Sequence, residues 1–144
     1  MNLADVQYIA AGLAGWTVAQ GFKYALNLHK DGFSFSDLFS SGGMPSSHSA
    51  FVSAPAMLIG LNEGFNSAVF ALAFMIAGVV FYDAVGVRKA TGENTLAIRD
   101  LQKASKTKGH RPNLELSRGH TPLEVVGGAT IGVLVGVFIS LMVG

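Results

Sequence analysis

Cysteine is absent from the 144 residues, which excludes disulfides, thiolate metal sites and cysteine nucleophiles and leaves the compartment unread from redox chemistry. Charge is scarce too. Asp, Glu, Lys and Arg make up 13% of the chain, against about 25% in an ordinary soluble domain. Half of the residues are hydrophobic and 18 are glycine, an enrichment commoner in transmembrane helices than in soluble ones. This composition excludes intrinsic disorder and a coiled coil. The length suits one domain, residues 1–144, with one core. A net charge of +1 says little, but the placement of the charges says a great deal.

Residues 65–85, FNSAVFALAFMIAGVVFYDAV, carry a single charge, Asp83. Residues 122–143, PLEVVGGATIGVLVGVFISLMV, also carry one, Glu124. Each run is long enough to cross the roughly 30 Å hydrocarbon core. Residues 5–28 form a third candidate span, provided that Lys23 faces protein or snorkels. Residues 47–61 are shorter than a full span and contain Pro55, which predicts a short, kinked or re-entrant helix. The start of the chain lacks the basic segment and small-residue cleavage site of a secretory signal, so the first helix is expected to stay. Residues 88–108 place Leu96, Leu101 and several alanines among charges and predict an interfacial helix. The expected fold is therefore all-α: an integral membrane bundle of about four transmembrane or partly re-entrant helices plus an interfacial helix.

Eight of the ten Lys and Arg residues fall in 88–118. The positive-inside rule puts that connection in the cytoplasm. With four crossings, the connection 30–45 shares that side, and the short link 62–66 lies opposite.

Polar, reactive residues gather at one end of the predicted helices: Lys23 and Lys30, then Ser46, Ser47 and His48, then Asp83 and Arg88, then His120 and Glu124. In SSGGMPSSHSA, residues 40–50, flexible glycines lead through Pro45 to serines at a helix start. Amides and hydroxyls there can hold an anion, with His48 placed to protonate a leaving oxygen. The plain alternative is that Ser46 or Ser47 only caps the helix. In SRGHTPLEVVGGA, residues 117–129, His120 and Glu124 are four apart. A histidine held by a carboxylate is a competent phosphoryl acceptor. Thr121, Pro122 and Glu124 equally spell a capping box that needs no catalysis. Asp83 and Arg88 either pair structurally, or Arg88 forks onto phosphate while Asp83 orients it. Gly128, Gly132 and Gly136 form a close-packing face for another helix, within the chain or in a homo-oligomer.

MPSSHSA at 44–50, YDAVGVRKATGE at 82–93 and GHTPLEVVGGA at 119–129 closely resemble the divergent branch of the type 2 phosphatidic acid phosphatase superfamily, which also includes bacterial acid phosphatases and vanadium haloperoxidases. The resemblance covers nearly the whole chain. It implies phosphoryl transfer in two steps with no metal or cofactor, His120 attacking phosphorus, Glu124 behind it and His48 acting as acid. Ser47 stands at the family's glycine position, and Glu124 where aspartate is usual. Lys23 and Lys30 match the phosphate-clamp spacing, with lysine replacing arginine. Arg118 lies two residues before His120 rather than the usual six, so Arg88 is the candidate substitute. The pair Arg111 and Pro112 has the wrong spacing and motif order and is set aside.

The implied function is hydrolysis of a lipid phosphate monoester or diphosphate through a phosphohistidine. The alternative is a non-catalytic protein that binds or transports lipid phosphate. The expected partners are that lipid and the membrane, a bacterial-type cytoplasmic or an organelle membrane, with the site on the cytoplasmic side. No nucleic-acid partner is expected.

Overall fold

The computed structural model describes residues 3–27, 43–104 and 119–143; Lys30, Arg111 and Arg118 lie outside them. The elements are α1 (Leu3–Asn27), α2 (Ser47–Glu63), α3 (Ala68–Tyr82), a π-helical segment (Asp83–Val87), α4 (Arg88–Ala104) and α5 (Pro122–Val143). The described residues contain no strand. The chain is an all-α membrane bundle.

Among the described residues two helices are long and apolar enough to cross a membrane: α5, and the unbroken 37-residue helix Ala68–Ala104 made of α3, the π segment and α4. At 1.5 Å per residue the latter runs about 55 Å, far beyond a hydrocarbon core of about 30 Å. The polar α4 is therefore the part that extends past the core. Helix α2 has 17 residues, about 25 Å, and is short of a full span as its sequence indicated.

Helix α2 lies at the centre, packed against α1, α3 and α5. Its buried side chains are mostly small, among them Ser49, Ala50, Ser53, Ala54 and Ala56. Small residues allow backbones to approach where no water drives helices together. On α5, Gly128, Gly132 and Gly136 recur one turn apart and are all buried. They face the carbonyls of Ser46, Ala50 and Ala54, which recur one turn apart on α2. A Cβ at Gly132 or Gly136 would lie 2.5 Å from the opposing oxygen, and one at Gly128 would collide with the Ser46 carbonyl. From the other side, a Cβ at Gly15 of α1 would lie 2.7 Å from the Ala50 oxygen. Ala50 is thus held between glycines of two neighbours. Of the two uses its sequence allowed, the glycine face of α5 serves the one within the chain.

Pro55 is accommodated without ending α2. Proline has no N–H for the carbonyl four residues earlier, here Phe51. Gly12 of α1 packs against that carbonyl, 3.2 Å from where its Cβ would stand.

Large apolar side chains point outward instead, as expected of surface in contact with lipid tails. Leu72, Phe74, Met75 and Val79 on α3 and Leu134, Phe138 and Leu141 on α5 are all exposed. At the end remote from the reactive cluster, Tyr8 donates to Glu63 (2.7 Å) and Ser140 bonds Asn62 (3.3 Å). These bonds tie the start of α1 and the end of α5 to the end of α2.

Candidate functional site

The helix start at Ser46–Ser49 is built by capping. Ser46 has extended backbone angles and its hydroxyl accepts from the Ser49 N–H, the arrangement that serine favours before a helix. The Ser49 hydroxyl also lies 2.9 Å from that of Ser46. Ser46 is fully buried, and its own N–H donates to the Glu124 carbonyl at 3.0 Å. Its amide is therefore engaged inside the fold, while its hydroxyl accepts from the Ser49 N–H and O–H. Ser46 thus sets the turn from which α2 starts. The Ala50 N–H returns to the Ser46 carbonyl. Of the four amides that a helix start leaves without intrahelical partners, Ser47 and His48 supply the two that can still meet an anion. His48 is exposed at this surface.

The bond from Ser46 N–H to Glu124 joins this turn to the opposite one. Glu124 Oε2 accepts from the Thr121 N–H at 2.9 Å, while the Thr121 hydroxyl accepts from the Glu124 N–H at 3.3 Å. This is the capping box that the sequence spelled. The same carboxylate oxygen lies 3.2 Å from His120 Nδ1. The two readings of Glu124 are thus not exclusive: one oxygen caps the helix and holds the histidine. His120 is only 5% exposed. A carboxylate on Nδ1 favours the proton there and leaves the lone pair on Nε2. Burial lowers the pKa of His120, Glu124 pulls it back up, and Lys23 and Arg88 lower it further. The net shift is downward, so the ring is neutral near pH 7.

The π segment explains how Asp83 and Arg88 meet. In an α-helix residues five apart point about 140° away from each other. Bonds of the i to i+5 type bring them to nearly the same face, and Arg88 Nε lies 2.6 Å from Asp83 Oδ2. The Arg88 N–H goes to the Asp83 carbonyl rather than to that of Ala84, its α-helical partner. The Ala84 carbonyl instead accepts the His120 N–H at 3.0 Å. One irregularity thereby orients Arg88 and also docks the turn that carries His120. Gly119 is required at this contact, since a Cβ would collide with the backbone of Lys89. Sequence reasoning missed the π segment; the five-residue spacing in YDAVGVR was its one visible trace.

Lys23 is buried and does not snorkel to solvent. Its stem crosses the turn before α2, where a Cβ at Gly43 would lie 3.2 Å from Lys23 Cε. Gly43 also has φ +91°, which favours glycine for a second reason. Lys23 and Arg88 both act electrostatically on His48 and His120, and the two histidines lie near enough for His120 to act on His48. The structure therefore gathers Lys23, Ser47, His48, Asp83, Arg88, His120 and Glu124 at one end of the bundle. Lys30, the other half of the expected clamp, falls outside the described residues. Gln20, buried one turn before Lys23, is a polar neighbour that the sequence reading passed over. Among the described residues no three His, Asp or Glu side chains converge as a metal site requires.

Comparison with known proteins identifies the family. The chain is 36% identical over 109 residues to a Bacillus subtilis (strain 168) protein described as "Uncharacterized membrane protein YuiD", a match that covers 66% of this chain and 68% of the relative. No solved structure matches. The pattern of the Divergent PAP2 family matches residues 4–135, nearly the whole chain and all three segments that build the site, and the protein belongs to that family.

Proposed function

We propose that the protein is a membrane phosphatase that hydrolyses a lipid phosphate monoester or diphosphate through a phosphohistidine. The observation that carries this reading is the buried His120, held at Nδ1 by Glu124 and flanked by Lys23, Arg88 and His48. Nε2 of His120 attacks phosphorus, and the bond to the leaving oxygen breaks. His48, whose protonated fraction is reduced near neutral pH because burial and then Arg88 lower its pKa, gives that oxygen its proton from the protonated form. Lys23, Arg88 and the amides of Ser47 and His48 offset charge on the equatorial oxygens during transfer. Asp83, bonded at Nε, leaves the two terminal amino groups of Arg88 as the edge that can fork onto phosphate. His48, now neutral, takes a proton from water, whose oxygen attacks phosphorus. The N–P bond breaks, inorganic phosphate leaves and both histidines return to their starting states.

The excess of basic residues from Arg88 onward supports a cytoplasmic side for this chemistry. The non-catalytic alternative keeps one support: the reciprocal bonds of Thr121 and Glu124 would exist without turnover. Phosphate release from a panel of lipid phosphates, in the presence of chelator, separates the two. Hydrolysis lost in both His120→Ala and His48→Ala supports the phosphatase. Lipid binding retained by His120→Ala, with no release by the unaltered protein, supports a carrier.

A further inference from the structure

Helix α4 has one covered side and one bare side. Gly92 and Thr95 are buried, and Arg88, Arg99 and Gln102 on the same side are half-buried. On the opposite side Val87, Ala90, Asn94, Ala97, Leu101 and Ala104 are all exposed, with Val87 at 54% and Leu101 at 71%. These six residues are spaced alternately three and four apart. Val87, Asn94 and Leu101 therefore repeat every seven residues, with an alanine three after each. Such a repeat is the seam along which one helix pairs with another. Because α4 extends past the hydrocarbon core, lipid tails do not cover this face.

The residues beside the seam say which partner fits it. Glu93 and Asp100 border it on one side, and Thr91 and Ile98 on the other. Between antiparallel helices each border meets its own kind, which would set the two carboxylates of one copy against the two of the other. Between parallel helices Glu93 of one copy lies beside Ile98 of the other, and no like charges oppose. Two copies in one membrane share an orientation, and a two-fold axis along the membrane normal makes their α4 helices parallel. Asn94 also favours an identical partner. Against a foreign apolar surface its amide would lose its hydrogen bonds to water, whereas across the axis it meets its own counterpart and can both donate and accept. We propose that this face of α4 binds the same face of a second copy, as a parallel helix pair outside the hydrocarbon core. The surface is distinct from the glycine face of α5, which packs within the chain, and the proposal does not depend on the phosphatase reading. Arg88 lies on the other side of α4, so pairing leaves its bond to Asp83 uncovered in both copies.

The absence of native cysteine allows a direct test on the full chain in phosphatidylcholine vesicles at a low ratio of protein to lipid. Under mild oxidation Ala90→Cys and Ala97→Cys should each give a disulfide-linked dimer, because seam positions bring equivalent residues within the roughly 4.4–6.8 Å between Cα atoms that a disulfide needs. Leu96→Cys and Lys103→Cys, exposed but off the seam, should give none. The unaltered chain should have the mass of a dimer by native mass spectrometry. Ala97→Glu and Ala97→Lys should each have that of a monomer, since like charges then meet across the axis. Coexpression of the two should restore a dimer holding one copy of each, a rescue that separates a lost contact from a damaged fold. A monomeric unaltered chain, linkage at Lys103→Cys equal to that at Ala97→Cys, or dimers formed by either charged variant alone would each overturn the proposal. So would quenching of a fluorescent label on Leu101→Cys by brominated lipid, which would give the face to the membrane surface instead.

Discussion

Replacing single glycines of α5 and α3 by alanine tests the packing of the bundle, because one chemical change meets different surroundings at each position. In an exposed helix interior the change gains about 1 kcal/mol of helix propensity. At Gly78 a Cβ meets nothing within 4 Å, so that gain should appear in full. At Gly127 the methyl would lie 3.3 Å from Met44 Cε, the end of a flexible side chain that can move, and the effect should be near zero. At Gly132 it would lie 2.5 Å from the Ala50 oxygen and 2.7 Å from Ser53 Cβ. Neither can yield without separating α2 from α5. Overpacking of this kind costs about 1–3 kcal/mol and must also exceed the propensity gain to be seen. With on the order of 4 °C per kcal/mol for a chain of this size, Gly78→Ala should unfold a few degrees later than the unaltered protein. Gly132→Ala, which shares the propensity gain but adds the overpacking, should unfold roughly 4–12 °C earlier than Gly78→Ala. Thermal unfolding in one detergent, followed by intrinsic fluorescence and by loss of the monodisperse peak, gives the comparison. Gly132→Ala melting as late as Gly78→Ala would refute close contact between α2 and α5.

Gly119→Ala should keep the helical content but pull His120 off the Ala84 carbonyl, lowering phosphate release by about 100-fold if misplacement by an ångström has its usual cost; activity within two-fold of the unaltered protein would contradict the docking role of the π segment. The pH profile should fall on its acid side with a midpoint below the ordinary histidine value of about 6.5, because burial disfavours the imidazolium of His120. Glu124→Gln removes the influence that raises this pKa, so it should move the midpoint further to acid while slowing the reaction, and a shift toward neutral pH would contradict the pairing. The same depressed pKa means that the unfolded chain binds the proton better, so His120 costs the folded state stability as pH falls below about 6.5. Cysteine introduced at Asn62 in this cysteine-free chain should react only with reagent on the side opposite the basic connection, and labelling from the cytoplasmic side would invert the topology.

Much of this architecture was legible because lipid imposes long apolar runs and because reactive residues stand out against a background with so little charge. The helix that begins at Pro122, its capping box and the short α2 follow from residue types at fixed spacings. What the sequence left open depends on partners distant in the chain. Ser46 and Ser47 are equivalent on paper, and the Glu124 carbonyl decides between them by taking the Ser46 amide. The glycines at 128, 132 and 136 announce a close contact but not with what, since the matching small residues on α2 recur in a helix with little amphipathic pattern. The π segment has no local signature strong enough to name it. It is held in place by a carbonyl that has a distant N–H to accept and by an ion pair that only this winding permits.

The phosphohistidine is the central claim, and it is tested most directly by trapping it. Unaltered protein and the His48→Ala and His120→Ala variants are mixed with a lipid phosphate carrying labelled phosphorus, quenched in base and mapped by mass spectrometry. The expected result is base-stable, acid-labile label on His120 in the unaltered protein and none in His120→Ala. Phosphate release without label on any histidine, or with label that survives His120→Ala, would contradict the mechanism.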